Sequence, residues 1–133
     1  MKKLLSAFDE KCVDYIPERT VKLAGRSLHW DALCNFNGVN FCIESDGPHH
    51  FSPLGVTQVS KGKLRGDQAI AKFQDQRARD LLKEKHIRDT GGLLFRFSYR
   101  QTAQIESLVA KMLEHAANGT TGVVYMDSIY WDT

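Results

Sequence analysis

Asp31, Glu44 and Asp46 are the residues from which chemistry could be built. They flank an Asn37-Gly38 pair that separates two β-rich runs, residues 28 to 36 and 39 to 44. Asn-Gly meets the need of a type I′ turn for positive φ at both central positions, so a hairpin is expected. Counting outward from the turn sets Phe36 opposite Val39, Cys34 opposite Phe41, and Asp31 opposite Glu44. Directly opposed side chains stand about 5 Å apart, and like charges so placed destabilise a sheet. A pair kept there is either solvated at a strand end or holds a cation. Asp46 falls on the same face two residues on. Three carboxylates with oxygen donors suit Mg²⁺, which takes one or two of them and fills its shell with water and phosphate oxygens.

Beyond the strand, Gly47-Pro48 is followed by His49 and His50. A histidine beside a bound cation can take a proton from an attacking water near neutral pH. Either one fits that role. His29, on the same acidic face, fits a ligand's neighbour or an ion-pair partner. His86 and His115 have no acidic neighbours in this reading and count as surface residues.

The elements that must position these groups follow from periodicity. Residues 2 to 15 carry Leu4, Leu5, Phe8, Cys12 and Tyr15 on one helical stripe, ended by Pro17. A weak strand over residues 20 to 24 leads into the hairpin. One hairpin face reads as core: Leu28, Trp30, Ala32, Cys34, Phe36, Val39, Phe41 and Ile43. Residues 52 to 66 read as a loop, with Pro53, Gly55, Gly62 and Gly66. The spacing predicts a helix over residues 67 to 85 with Ile70, Ala71, Ala78, Leu81 and Leu82 inward and Asp75 at that face's edge. A turn at residues 89 to 92, a strand over 93 to 99 and a helix over 102 to 117 complete the pattern. The aromatic tail over 123 to 131 reads as an edge strand or a partner surface.

Composition bounds the answer. The chain has 133 residues, 42% hydrophobic and 26% charged, which is enough for one domain with a modest core. Cys12, Cys34 and Cys42 show neither a zinc spacing nor an even disulfide count, so free thiols are expected. No apolar run approaches a signal peptide or a membrane span, and an intracellular, cytoplasmic protein without a membrane partner is expected. The net charge of +2 decides nothing alone.

Asp31 on a strand, a short hairpin and then Glu44-x-Asp46-Gly47-x-x-His50 together resemble the PD-(D/E)xK nuclease superfamily. The nearer likeness is to its branch around the very-short-patch repair endonuclease and the EDxHD homing endonucleases. The strand Leu94-Phe95-Arg96-Phe97-Ser98-Tyr99 is similar to that branch's later strand. The resemblance covers roughly residues 4 to 100. It implies an α/β fold with a restriction-endonuclease-like core, a central mixed sheet flanked by helices. It also implies Mg²⁺- or Mn²⁺-dependent hydrolysis of phosphodiester bonds in DNA, by an endonuclease or a nickase. Phage or mobile-element origin would suit that branch.

On this likeness Asp31 is a metal ligand and His50 the water-activating base. Asp75 supports the metal or the histidine, and Glu44 or Asp46 completes the metal's surroundings. An N-terminal glutamate is expected from Glu10, with Glu18 the second choice. Two departures stand out. The superfamily lysine two residues after Glu44 is Asp46 here, and the basic residue expected three after the helix aspartate is Ala78 if that aspartate is Asp75.

A polyanionic substrate needs cations around the acidic centre. Lys61, Lys63 and Arg65 in the glycine-flanked loop, with Arg77 and Arg79 on the helix, are the candidate DNA contacts. The whole chain, 1 to 133, reads as a single nuclease-like domain, with an added helix and tail over 101 to 133. One small domain contacts few base pairs, so site-specific double-strand cutting would call for a homodimer or a fused recognition partner. A nucleic-acid-binding module on a catalytically silent nuclease fold is the alternative reading.

Overall fold

The computed structural model describes residues 1–61 and 63–131. Helix α1 (Lys2–Glu10) leads into a five-stranded mixed sheet of order β1-β2-β3-β4-β5. Strands β1 (Asp14–Leu23), β2 (Arg26–Phe36) and β3 (Val39–Asp46) form an antiparallel meander. The chain then crosses through a 3₁₀ turn (Pro48–His50), α2 (Pro53–Val59) and α3 (Gly66–Thr90) to β4 (Leu93–Ser98), parallel to β3. After α4 (Ile105–Ala117) it adds β5 (Gly122–Tyr125), parallel to β4. The architecture is α/β, a mixed sheet flanked by helices, as expected. Among the described residues no helix is long and apolar enough to cross a membrane.

The hairpin forms as the Asn-Gly turn requires. Asn37 and Gly38 have φ of 51° and 83°, and the ladder pairs Phe36 with Val39 and Cys34 with Phe41. It runs out at Ala32–Ile43, one rung short of Asp31 and Glu44.

Two apolar clusters sandwich the sheet. Under α1 and α4 lie Ala32, Cys34, Phe41, Ile43, Phe95 and Phe97 with Leu4, Phe8 and Met112. On the α3 side lie Trp30, Cys42, Leu94 and Ile87. Trp30 therefore faces away from Ala32, contrary to the simple alternation expected of the hairpin. The change of face falls beside an irregular rung: Glu18 sits at φ 55°, and the β1–β2 ladder pairs Pro17 with Ala32 and Arg19 with Trp30 but skips the rung between, in unchanged register. The strand turns over at Asp31.

Several element boundaries also differ from the sequence reading. The first helix stops at Glu10, where Cys12 at φ 59° breaks it, and Tyr15 is already in β1. Pro17 is tolerated because β1 is an edge strand. The stretch over 52 to 66 contains α2, capped by the Ser52 hydroxyl, which accepts from the Gly55 N–H. A Cβ at Gly55 would collide with the Pro48 carbonyl, so this glycine allows α2 to pack on the histidine-bearing turn. Gly62, in the proposed basic loop, lies outside the described residues. The tail supplies the edge strand β5, and Trp131 at its end is exposed.

The inward face of α3 departs most. Ile70 and Leu81 are about half exposed, while Ala69, Lys83, Glu84 and Ile87 are buried. A helix over a polar part of a sheet turns its polar stripe inward, which hydrophobic periodicity cannot see.

Candidate active site

Because β3 alternates, Glu44 and Asp46 both face α3, at the end of the sheet where β2 turns over. Glu44 is 3% exposed and meets Lys83 of α3, whose Nζ donates to Oε1 at 2.9 Å. Lys83 also lies over the Trp30 ring, 5.6 Å from its centroid. Burial pushes the Glu44 carboxyl up to about 8; Lys83 pulls it down and Asp31 adds to the rise. Asp31 reaches across the missing rung, and its Oδ2 accepts from the Ser45 N–H at 2.6 Å. Asp31, Glu44, Ser45, His49, His50 and Lys83 share one cavity of about 250 Å³. His29 lies on its rim, its Nδ1 2.8 Å from the Thr20 hydroxyl.

Asp46 does not join this group, contrary to the expected three-carboxylate centre. Both of its oxygens are taken by Arg96 of β4, at 2.8 and 2.9 Å, and Tyr130 from the tail donates to Oδ2 at 2.7 Å. Arg96 is 2% exposed and also contacts Asp80 at 3.1 Å and Glu84 at 3.3 Å. Glu84 accepts in turn from the Tyr125 hydroxyl. Burial alone would lower the Arg96 guanidinium, but Asp46 and Asp80 hold it well above its ordinary value. The carboxylates are the countercharges of a buried arginine. Among the described residues no three His, Cys, Asp or Glu side chains converge as a metal cluster.

His50 stands between the two groups. Its Nδ1 is 2.8 Å from Asp80 Oδ2 and 3.4 Å from Asp46 Oδ1. Burial works against ionised Asp80, yet the His50 hydrogen bond and Arg96 hold its carboxyl below the usual range. An ionised Asp80 can only accept, so Nδ1 carries a ring proton, and Nε2 is the nitrogen left to exchange one. Gln76 braces Asp80 from one helical turn away at 3.0 Å. His49 stacks on His50 with ring centroids 4.3 Å apart, and burial and His50 both lower its pKa.

The other expected site residues lie elsewhere. Asp75 accepts from Arg26 at 2.8 Å and from Arg79 at 2.6 Å near the surface, and those hydrogen bonds hold its carboxyl low. It sits more than one turn before Asp80 and is not brought to His50. Glu10 is exposed at the end of α1, against the opposite side of the sheet, beside Thr102 and Ile105. Glu18 is exposed on β1, at the skipped rung across from Asp31. Of the candidate DNA contacts, Lys61 and Lys63 are exposed, Arg65 pairs with Asp67 at 3.4 Å, and Arg77 is exposed. Arg79 lines the Asp31–Glu44 cavity.

Asp80, Glu84 and Gln76 were missed as site residues, and Lys83, expected with Lys85 only in the basic surround for the DNA, is instead buried against Glu44. A signal was present: Gln76, Asp80, Lys83, Glu84 and Ile87 fall at helical spacing on one stripe. Lys83 also stands three residues after Asp80, which supplies the basic residue that Asp75 lacked. Comparison with known proteins finds no matching family model, curated protein or solved structure.

Proposed function

We propose that this chain is a metal-dependent DNA endonuclease or nickase on a restriction-endonuclease-like core. The reading rests on one observation: Asp31 and Glu44 share a cavity with Lys83 and with a histidine anchored by a half-buried aspartate, Asp80. The resemblance in Asp31, Glu44-x-Asp46-Gly47-x-x-His50 and the Arg96 strand supports it. Asp80 takes the supporting role expected of a helix aspartate, and Lys83 the charge-stabilising role of the superfamily lysine.

The donor set fits Mg²⁺ or Mn²⁺. Among the described residues, Asp31 Oδ1 and Glu44 Oε2 make no hydrogen bond, which leaves one oxygen on each of two neighbouring carboxylates. Two carboxylates with solvent and phosphate oxygens are what Mg²⁺ takes, and Asp31 and Glu44 would hold it. A cation also relieves the buried Glu44, whose carboxyl is otherwise held high. When bound, the ion would polarise the phosphoryl group and neutralise its charge. The chain's own work is separate. His50 Nε2 accepts the proton of the attacking water, and Asp80 fixes the ring and stabilises the imidazolium that forms. Lys83 adds positive charge where the pentavalent phosphorane gathers negative charge. Arg77, Arg79, Lys61, Lys63 and Arg65 supply cations for the DNA backbone.

A DNA-binding module without catalysis is the second reading. Its support is that Lys83 already neutralises Glu44 and that Asp46 is committed to Arg96. Plasmid nicking in a Mg²⁺ and Mn²⁺ series separates the two. The nuclease nicks DNA with metal and stops with EDTA, whereas the binding module retains DNA without cutting any form of it.

A further inference from the structure

A second cleft, of about 400 Å³, opens between α2 and α3. Val56, Val59 and Leu64 give it an apolar wall, and Lys72 and Arg79 stand at its polar side. His49, Gln76 and Arg79 line both this cleft and the Asp31–Glu44 cavity, so the two adjoin across these side chains. Its size lies within the roughly 300–1,000 Å³ of small-molecule sites.

Three observations bear on the occupant. The wall is apolar and includes the His49 imidazole, which suits a flat aromatic ring. Lys72 makes no ion pair among the described residues, and the carboxylate of Asp75 is already held by Arg26 and Arg79. The local balance therefore favours an anion-bearing partner. His49 Nδ1 is the one buried side-chain nitrogen or oxygen without a hydrogen-bond partner among the described residues.

The geometry points to a binding site for an unstacked nucleotide, its base against Val56, Val59 and Leu64 and its phosphate toward Lys72 and Arg79. This rests on the nuclease reading and names its substrate class: duplex DNA with an unpaired nucleotide beside the scissile phosphate. A base already unpaired enters without the cost of unstacking, which is the source of selectivity.

The test is binding of the full chain, in EDTA, to two duplexes that differ by a single bulged 2-aminopurine, followed by cleavage of both in Mg²⁺. The bulged duplex binds about tenfold tighter than the paired one, as expected when a cost of about 1.4 kcal/mol is spared. Its 2-aminopurine emission changes on binding. Val59 is more than half exposed, so Val59→Trp fills the cleft mouth without disturbing the core, and Val59→Phe serves if it does not fold. Either brings the preference near one. Equal affinity of the wild type for both duplexes, or a preference undiminished in the filled variants, overturns the proposal. Bulge-selective binding with no cutting removes the nuclease reading and leaves the cleft. Equal cutting of both duplexes leaves the nuclease and removes the cleft. No binding to either in EDTA together with no cutting of either in Mg²⁺ removes both.

Discussion

His50 Nδ1 and Asp80 Oδ2 lie 2.8 Å apart, the histidine on the turn after β3 and the aspartate in the fourth turn of α3. The contact joins two elements thirty residues apart in sequence, and it sets which nitrogen of the imidazole is left for solvent. In the proposed nuclease Asp80 is a positioning residue, acting through His50.

Asp80→Asn is expected to lower the rate of DNA nicking about 10- to 100-fold, the usual cost of losing a partner that orients a histidine. The loss falls on kcat rather than KM, and the pH profile of kcat moves with it, because the imidazolium loses its countercharge. Asp75→Asn, which disturbs only the surface pair with Arg26 and Arg79, costs far less. Steady-state kinetics on a nicked-circle assay across pH 5.5–9 checks the contrast. Equal losses in the two variants contradict it.

Arg96→Met removes the cation that Asp46, Asp80 and Glu84 share. Leaving buried carboxylates uncompensated costs about 3–5 kcal/mol, so the midpoint of urea unfolding falls sharply. Asp46→Asn keeps a hydrogen-bonding partner for the guanidinium and loses less. A mild effect of Arg96→Met would mean that the network is solvated.

Stability without metal bends in opposite directions on the two sides of neutrality. The Glu44 carboxyl, pushed up from 4.5 to about 8 by burial, binds its proton more tightly when folded. Its contribution is full below about 4.5 and is lost as the pH rises toward about 8, by an amount on the order of a few kcal/mol. Asp80, and Asp127 in the tail, which accepts from Arg100 and Ser98, are held below the usual carboxylate range, so their contributions are present above that range and are lost on acidification. Thermal melts in EDTA should peak on the acidic side of neutrality. Glu44→Gln flattens the limb between pH 5 and 8 and leaves the acid limb intact.

What could be read without a structure was local. The Asn37-Gly38 hairpin and its register depend on two φ angles that the residues themselves demand, and the paired rungs follow from them. The reversal of β2 at Asp31 was not legible, because strict alternation along β2 predicts none and the irregular rung involves Glu18 of a neighbouring strand. Nor was the role of Asp80. On α3 the apolar residues Ile70 and Leu81 face outward, and the stripe that matters is charged. Periodicity in hydrophobicity selects the wrong face wherever a helix covers a polar site. The resemblance requires an aspartate on this helix without saying which, and it points to Asp75, whereas the β3 end and the Arg96 guanidinium select Asp80. The chemistry at Glu44 lacked its lysine for the same reason: Lys83 comes from the helix, not from the strand.

The most direct measurement is conversion of supercoiled plasmid to nicked or linear DNA by the purified chain, with Mg²⁺, Mn²⁺ or EDTA, alongside Asp31→Ala and His50→Ala. The account predicts metal-dependent cutting by the wild type and its loss in both variants, with folding preserved by circular dichroism. Cutting that persists in EDTA or survives either substitution contradicts it, as does a wild type that binds DNA and never cuts it.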